Sequence, residues 1–213
     1  ALVSDAAVEV TETPVSIVFT QPGAVRETAL LFYAGALVQP AAYAPLLRRV
    51  AEAGHLAVLL PLPARSAPTE RHVREAIGRG FGVMEDRPEL QWIVGGHSKG
   101  GAIAAQLVAG DPRAAAGLLL VGTSHPRELD LSALTIPVLK VLASRDGLAS
   151  PDELARFASN LPPSTEFVTI EGGNHAQFGY YRFQFGDRRA TISREEQQDQ
   201  LFAAIMRMLS RGE

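Results

Sequence analysis

Three residues far apart in the chain have the types needed for acyl transfer at a serine: Ser98, Asp146 and His175. Ser98 sits in Gly96-His97-Ser98-Lys99-Gly100, a G-x-S-x-G run. The pattern has a steric meaning. A serine on a very tight strand-to-helix turn holds a strained backbone, and side chains two before and two after it would collide with the turn. The turn presents Oγ at a helix N-terminus, where the dipole and free N–H groups favour an anion. The bare pattern is weak without context. Here Leu90 to Val94 reads as a buried strand, and Gly101 to Gly110 reads as a helix ending on glycine. The alternative is an ordinary turn with Ser98 as a helix N-cap.

A serine hydroxyl needs a base to take its proton and a carboxylate to orient that base. In a parallel α/β sheet such groups collect beyond the carboxyl ends of strands. Asp146, in Ser144-Arg145-Asp146-Gly147, follows a strand ending near Ala143. His175, in Gly172-Gly173-Asn174-His175, follows a strand ending at Ile170. The chain order Ser98, Asp146, His175 suits a nucleophile elbow. Glu128 and Asp130 follow the preceding strand and are the alternative acids; an aspartate before glycine is often only a turn former. His55 begins a strand and His72 lies on a predicted helix, so both read as surface or structural. His97 adjoins Ser98 along the chain and is expected to point elsewhere. His125 follows a strand end and is the serious rival to His175. An oxyanion would need the N–H of Lys99 and a second from the loop Tyr33-Ala34-Gly35-Ala36, where Ala36 or Gly35 is favoured. The Lys99 side chain reads as a solvated helix-start residue.

The chain that must position these groups has 213 residues, enough for one sizeable core, and is expected to form a single domain over 1–213. Its formal net charge of −3, with scattered Lys and Arg, gives no nucleic-acid face. No apolar run reaches the length of a membrane span. The absence of cysteine excludes disulfides, thiolate metal sites and a cysteine nucleophile. The chain begins with Ala1-Leu2-Val3, which is compatible with processing or truncation, so the compartment stays open.

Ala7 to Phe19 reads as an edge strand or hairpin, and Thr28 to Phe32 as a buried strand. Pro45 suits the first turn of a helix with Leu46, Leu47, Val50 and Ala51 on one face and Gly54 as its stop. Further strands are expected at His55 to Leu60, Ala116 to Val121, Ile136 to Ala143 and Glu166 to Ile170. A helix is expected from Thr69 to Gly78, with an extension to Met84. Others open at Ser150-Pro151-Asp152-Glu153 and at Ser193-Arg194-Glu195-Glu196, the last with an apolar stripe of Leu201, Ile205, Met208 and Leu209. Strands that are continuous apolar runs alternating with helices predict an α/β fold, with a mainly parallel central sheet and helices on both faces.

With these residues in place, the chain resembles the α/β-hydrolase superfamily from about Thr28 to the last helix. The resemblance rests on Gly96-His97-Ser98-Lys99-Gly100, Ser144-Arg145-Asp146-Gly147 and Gly172-Gly173-Asn174-His175. The run Gly172 to Gly179, with Thr191 to Gln198, resembles a small bacterial subgroup sometimes called the fold-five hydrolases, related to dienelactone hydrolases and small esterases. It implies Ser98 as nucleophile, His175 as base and Asp146 as its partner. The dienelactone enzymes use cysteine, whereas serine stands here. About fifteen residues separate the strand at Ala116 to Val121 from the next, too few for a cap domain. Tyr33, His97, Phe178 and Tyr180 are candidates for the substrate pocket. The aromatic loop holding the last two either walls that pocket or packs on the sheet edge. The expected activity is a carboxylesterase for small or medium acyl esters, without metal or organic cofactor. A serine acyltransferase with the same residues, or a binding protein on a hydrolase fold, is the alternative. The expected partner is a small-molecule ester, with no nucleic acid. A homo-oligomer could form through the edge strand near Val8 to Phe19.

Overall fold

The computed structural model describes residues 1–23 and 26–212. Among these residues, eight strands form one sheet in the order β1-β2-β4-β3-β5-β6-β7-β8. They are β1 (Glu9–Glu12), β2 (Ile17–Thr20), β3 (Thr28–Tyr33), β4 (Ala57–Leu60), β5 (Gln91–His97), β6 (Gly117–Val121), β7 (Val138–Ala143) and β8 (Glu166–Ile170). β1 and β2 form an antiparallel hairpin, and β2 joins β4 antiparallel. From β4 through β8 every pairing is parallel.

Parallel strands need crossovers, and helices supply them from β3 to β6 and from β7 to β8, while β6 reaches β7 through a loop. The helices are α1 (Ala44–Glu52), α2 (Glu70–Glu85), α3 (Lys99–Gly110), α4 (Pro151–Arg156) and α5 (Arg194–Leu209). On one face, Leu46, Leu47, Val50 and Ala51 of α1 and Leu201, Ile205, Met208 and Leu209 of α5 join Leu30 and Phe32 in one core. On the other, Ala76 of α2 and Ile103, Leu107 and Val108 of α3 join Ala29 and Leu31 in a second. The alternation of β3 residues between the two cores is the period-two geometry of a strand buried on both sides.

Local chemistry sets the boundaries. Thr69 caps α2 by accepting from the His72 N–H. Ser193 and Glu196 form a reciprocal capping box on α5. Gly54 follows α1 with φ 94°, a left-handed stop. α2 runs the full length to Glu85, beyond Gly78. β7 starts at Val138 rather than Ile136, because Pro137 accepts from the Leu118 N–H but has no N–H to return. β8 is not a continuous apolar strand: it lies at the sheet edge, and Phe167 is 47% exposed. The segment between β6 and β7, residues 122–137, contains no helix, so no cap covers the carboxyl end of the sheet there. No helix among the described residues is long and apolar enough to cross a membrane.

Candidate active site

The carboxyl ends of β5, β7 and β8 carry Ser98, Asp146 and His175 respectively. Ser98 sits at φ 54° and ψ −118°, between the last residue of β5 and the first of α3. A non-glycine residue there costs about 1–3 kcal/mol, and the surrounding packing must hold it. The flanking glycines make the turn possible. A Cβ on Gly96 would lie 2.5 Å from the Gly100 carbonyl carbon, and one on Gly100 would lie 2.3 Å from the Tyr33 carbonyl oxygen.

Asp146 and His175 are both buried. Asp146 Oδ2 lies 2.8 Å from His175 Nδ1. Asp146 Oδ1 accepts from the N–H groups of Leu148 at 2.8 Å and Ala149 at 2.7 Å. A carboxylate that only accepts sets the tautomer: Nδ1 carries the proton and Nε2 keeps a lone pair. Among the described residues, the buried Nε2 has no hydrogen-bond partner. His175 and Ser98 line one cavity of about 350 Å³, together with Lys99, Gly122, Thr123, Ser124, His125, Arg127, Leu148 and Ala149.

Two buried groups absent from the sequence reading hold the acid and histidine loops together. Asp187 Oδ1 accepts from the N–H groups of Gly147 and His175, each at 3.2 Å, and of Arg188 at 2.8 Å. Its Oδ2 accepts from the Ala176 N–H at 2.9 Å. One carboxylate thus ties the backbone beside Asp146 to the backbone of His175. Gln197, on α5, exchanges hydrogen bonds with the Asn174 main chain, at 3.0 Å to the N–H and 2.8 Å to the carbonyl. Nothing local in Gly186-Asp187 marks this role, because the partners lie on two other loops.

His97 does not point away from the site. Its ring centroid is 4.4 Å from that of His175, and it also packs on Tyr43, Phe178 and Tyr181. Its Nδ1 lies 2.9 Å from Tyr43 Oη, and that oxygen accepts from the Gly35 N–H at 3.0 Å. The arrangement that uses all three groups has the Tyr43 hydroxyl donating to Nδ1. Burial, reinforced by the neighbouring His175, holds His97 well below the usual histidine range, so it stays neutral. The Gly35 N–H is therefore taken up by Tyr43, which corrects its expected place as an oxyanion donor. Among the described residues the Ala36 N–H has no hydrogen-bond partner.

The expected pocket lining is also corrected. Tyr33, His97, Phe178 and Tyr180 do not line the cavity at Ser98. The Tyr33 ring is buried in the α2–α3 core, where its hydroxyl donates to the Ala76 carbonyl. Phe178 is buried against Gly122 and His97. Tyr180 faces Arg194, whose guanidinium carbon is 5.6 Å from the ring centroid. The loops after β6 and β7 wall the cavity instead. His125 does line it, but among the described residues its Nδ1 meets only the Thr123 hydroxyl, at 3.3 Å. Burial first, then Arg127, Lys99 and Lys140, bring His125 down to about 4. Asp130 caps the Ser132 N–H at an exposed turn, and Glu128 lines an adjoining cavity. His175 is paired with the Asp146 carboxylate, whereas His125 is not the ring that Asp146 meets. Among the described residues, no group of three or more His, Asp or Glu could hold a metal ion.

A sequence model described as the alpha/beta hydrolase family matches residues 29–199, from β3 into α5. The chain belongs to the α/β-hydrolase family. This α/β hydrolase shares its fold with distant solved structures. One is an alpha-beta serine hydrolase homologue from Coxiella burnetii, with a TM-score of 0.65 and 14% identity over 95% of this chain and 99% of that one. Another is TT1662 from Thermus thermophilus, with a TM-score of 0.66 and 18% identity over 95% and 98%. A third is MGS-MChE2, an alpha/beta hydrolase enzyme from a sediment metagenome of the Mar Chica lagoon in Morocco. It has a TM-score of 0.64 and 14% identity over 79% and 90%. No curated protein matches this α/β hydrolase.

Proposed function

We propose that this α/β hydrolase is a serine carboxylesterase for small or medium acyl esters, formed as a single domain. The observation that carries the reading is the meeting, in one cavity, of a strained Ser98 and a His175 whose Nδ1 is bound to Asp146. In the proposed reaction His175 Nε2 takes the proton from Ser98 Oγ as Oγ attacks the ester carbonyl. The tetrahedral oxyanion is met by the N–H groups of Lys99 and Ala36. The Lys99 N–H is the first of α3 and has no acceptor within that helix. His175 returns the proton to the leaving alcohol, then activates water to cleave the acyl-enzyme. Asp146 fixes the tautomer and stabilises the imidazolium.

A fluorophosphonate probe tests this, read by intact mass and peptide mapping. A single adduct on Ser98 is expected, much slowed in His175→Ala. Ser98→Ala should lose at least about three orders of magnitude of ester turnover, since such residues act as a unit. Unchanged hydrolysis by Ser98→Ala would remove Ser98 from the mechanism.

A further inference from the structure

The cavity beside Ser98 has an uneven charge. Its lining includes Lys99, Arg127, two buried hydroxyl residues, Thr123 and Ser124, and no carboxylate. Asp146 lies behind the ring of His175, occupied by that ring and by two backbone N–H groups.

Arg127 is placed with care. Its backbone is left-handed, at φ 48°, a conformation that favours glycine. Asn160 Nδ2 donates to its carbonyl, on the loop before β8. Its Nε donates to Ser124 Oγ at 2.9 Å, and its Nη2 to Glu153 Oε1 at 3.1 Å. Among the described residues Nη1 has no hydrogen-bond partner. The guanidinium is thus anchored on two sides at the cavity wall, and half its side chain is exposed to an entering molecule. Strain of this kind needs support and points to use. Lys99, among the described residues, forms no ion pair and also lines the adjoining cavity along α2. Burial first, and then the charges of Arg127, Lys99 and Lys140, keep the neighbouring His125 neutral, so it adds no positive charge to the wall.

We propose that this cavity is an anion subsite, in which Arg127 and Lys99 select ester substrates carrying one carboxylate beside the scissile bond. The proposal rests on the serine-esterase reading and names its substrate class. Glu153 already offsets Arg127, so among the described residues Lys99 is the cation of the wall without an ion-pair partner. A single negative charge matches it. Thr123 and Ser124 supply hydroxyls that bond a carboxylate better than an alkyl chain.

Two isosteric ester pairs test the subsite. Monomethyl succinate against methyl succinamate varies charge on the acyl side. Acetoxyacetate against acetoxyacetamide varies it on the alcohol side. In one pair the anionic member should have a kcat/KM about fivefold or more above its neutral partner, the size of one partly exposed charge pair. About 0.5 M salt should shrink that ratio by screening. Arg127→Gln and Lys99→Gln should each lower it, and the ratio within each variant is the readout. Neutral esters turned over with a ratio at or below unity in both pairs would overturn the subsite and leave the esterase reading standing. If no ester is turned over and the phosphonate forms no adduct, the esterase reading fails. Titration calorimetry on Ser98→Ala then decides the subsite alone: tighter binding of the anionic esters supports it, and equal binding overturns it.

Discussion

The imidazole of His97 lies 4.4 Å, centroid to centroid, from the imidazole of His175. One ring adjoins the proposed nucleophile in sequence; the other is the proposed base. The contact makes a neutral, buried ring the floor against which His175 is held. Through Tyr43 the same ring is linked to Gly35, on the loop that carries the second proposed oxyanion donor. His97→Ala should lower kcat by roughly tenfold to a hundredfold, since a shift of about 1 Å in a reacting group costs that much. His97→Phe keeps the stack but leaves the Tyr43 hydroxyl without its acceptor, and should recover part of the loss. The rate of phosphonate labelling at Ser98 reads this directly. A wild-type labelling rate in His97→Ala would show that the stack positions nothing.

Asp187 should behave as a positioning residue. Asp187→Ala strands four backbone N–H groups and uncouples the two loops, at a cost of about 2–3 kcal/mol in stability. Turnover should fall through kcat with KM little changed. Asp187→Asn retains one acceptor oxygen and should lie between wild type and alanine. A thermal melt paired with steady-state kinetics checks both. A variant that loses stability but keeps kcat would confine Asp187 to folding.

Gly100→Ala should be costly out of proportion to one methyl group. Its Cβ would meet two backbone oxygens, Tyr33 at 2.3 Å and Ala34 at 2.5 Å, which cannot swing aside as a side chain can. We expect a loss of about 1–3 kcal/mol or more, from overpacking. The displaced elbow should also stop labelling of Ser98. A stable Gly100→Ala protein with wild-type reactivity would contradict the close approach of α3 to β3.

Lys140 gives a pH dependence of stability. It is buried in β7, donates to the His125 carbonyl, and burial pushes it down to about 7. Between about 7 and its ordinary value near 10.4, the unfolded chain holds a proton that the folded chain lacks. Stability conferred by this site therefore rises with pH across that window, by up to about 1.4 kcal/mol per unit. Below about 7 both states are protonated and the slope vanishes. Denaturant melts of wild type and Lys140→Met at several pH values should show wild type gaining on the variant as pH rises. A difference independent of pH would mean that Lys140 keeps its charge.

Much of the architecture was legible because it is local. The G-x-S-x-G run, the capping box at Ser193 and the apolar stripes of α1 and α5 follow from neighbours within a few residues. The continuous apolar runs of β3 to β7 follow from burial on both faces, and they fixed the parallel core. β8 escaped that rule because sheet position, unlike sequence, decides which strand has an open edge. Ser98 could be nominated from its G-x-S-x-G run, and Asp146 and His175 from strand ends and chain order after it.

What tertiary structure decided lies between segments distant in sequence. Asp187 holds Gly147 and His175, respectively forty and twelve residues earlier. The turn of His97 toward His175 rests on Tyr43, fifty-four residues before it. Aromatic side chains suggested a pocket at Phe178 and Tyr180, yet packing on Gly122 and on Arg194 engages them elsewhere. The cavity fell instead to the short loops after β6 and β7. Sequence determined which side chains of the right types stand at strand ends and which elements present them, because those depend on local periodicity and turn chemistry. Only the folded chain decided what each group faces, because burial, tautomer and charge are set by atoms brought in from other strands.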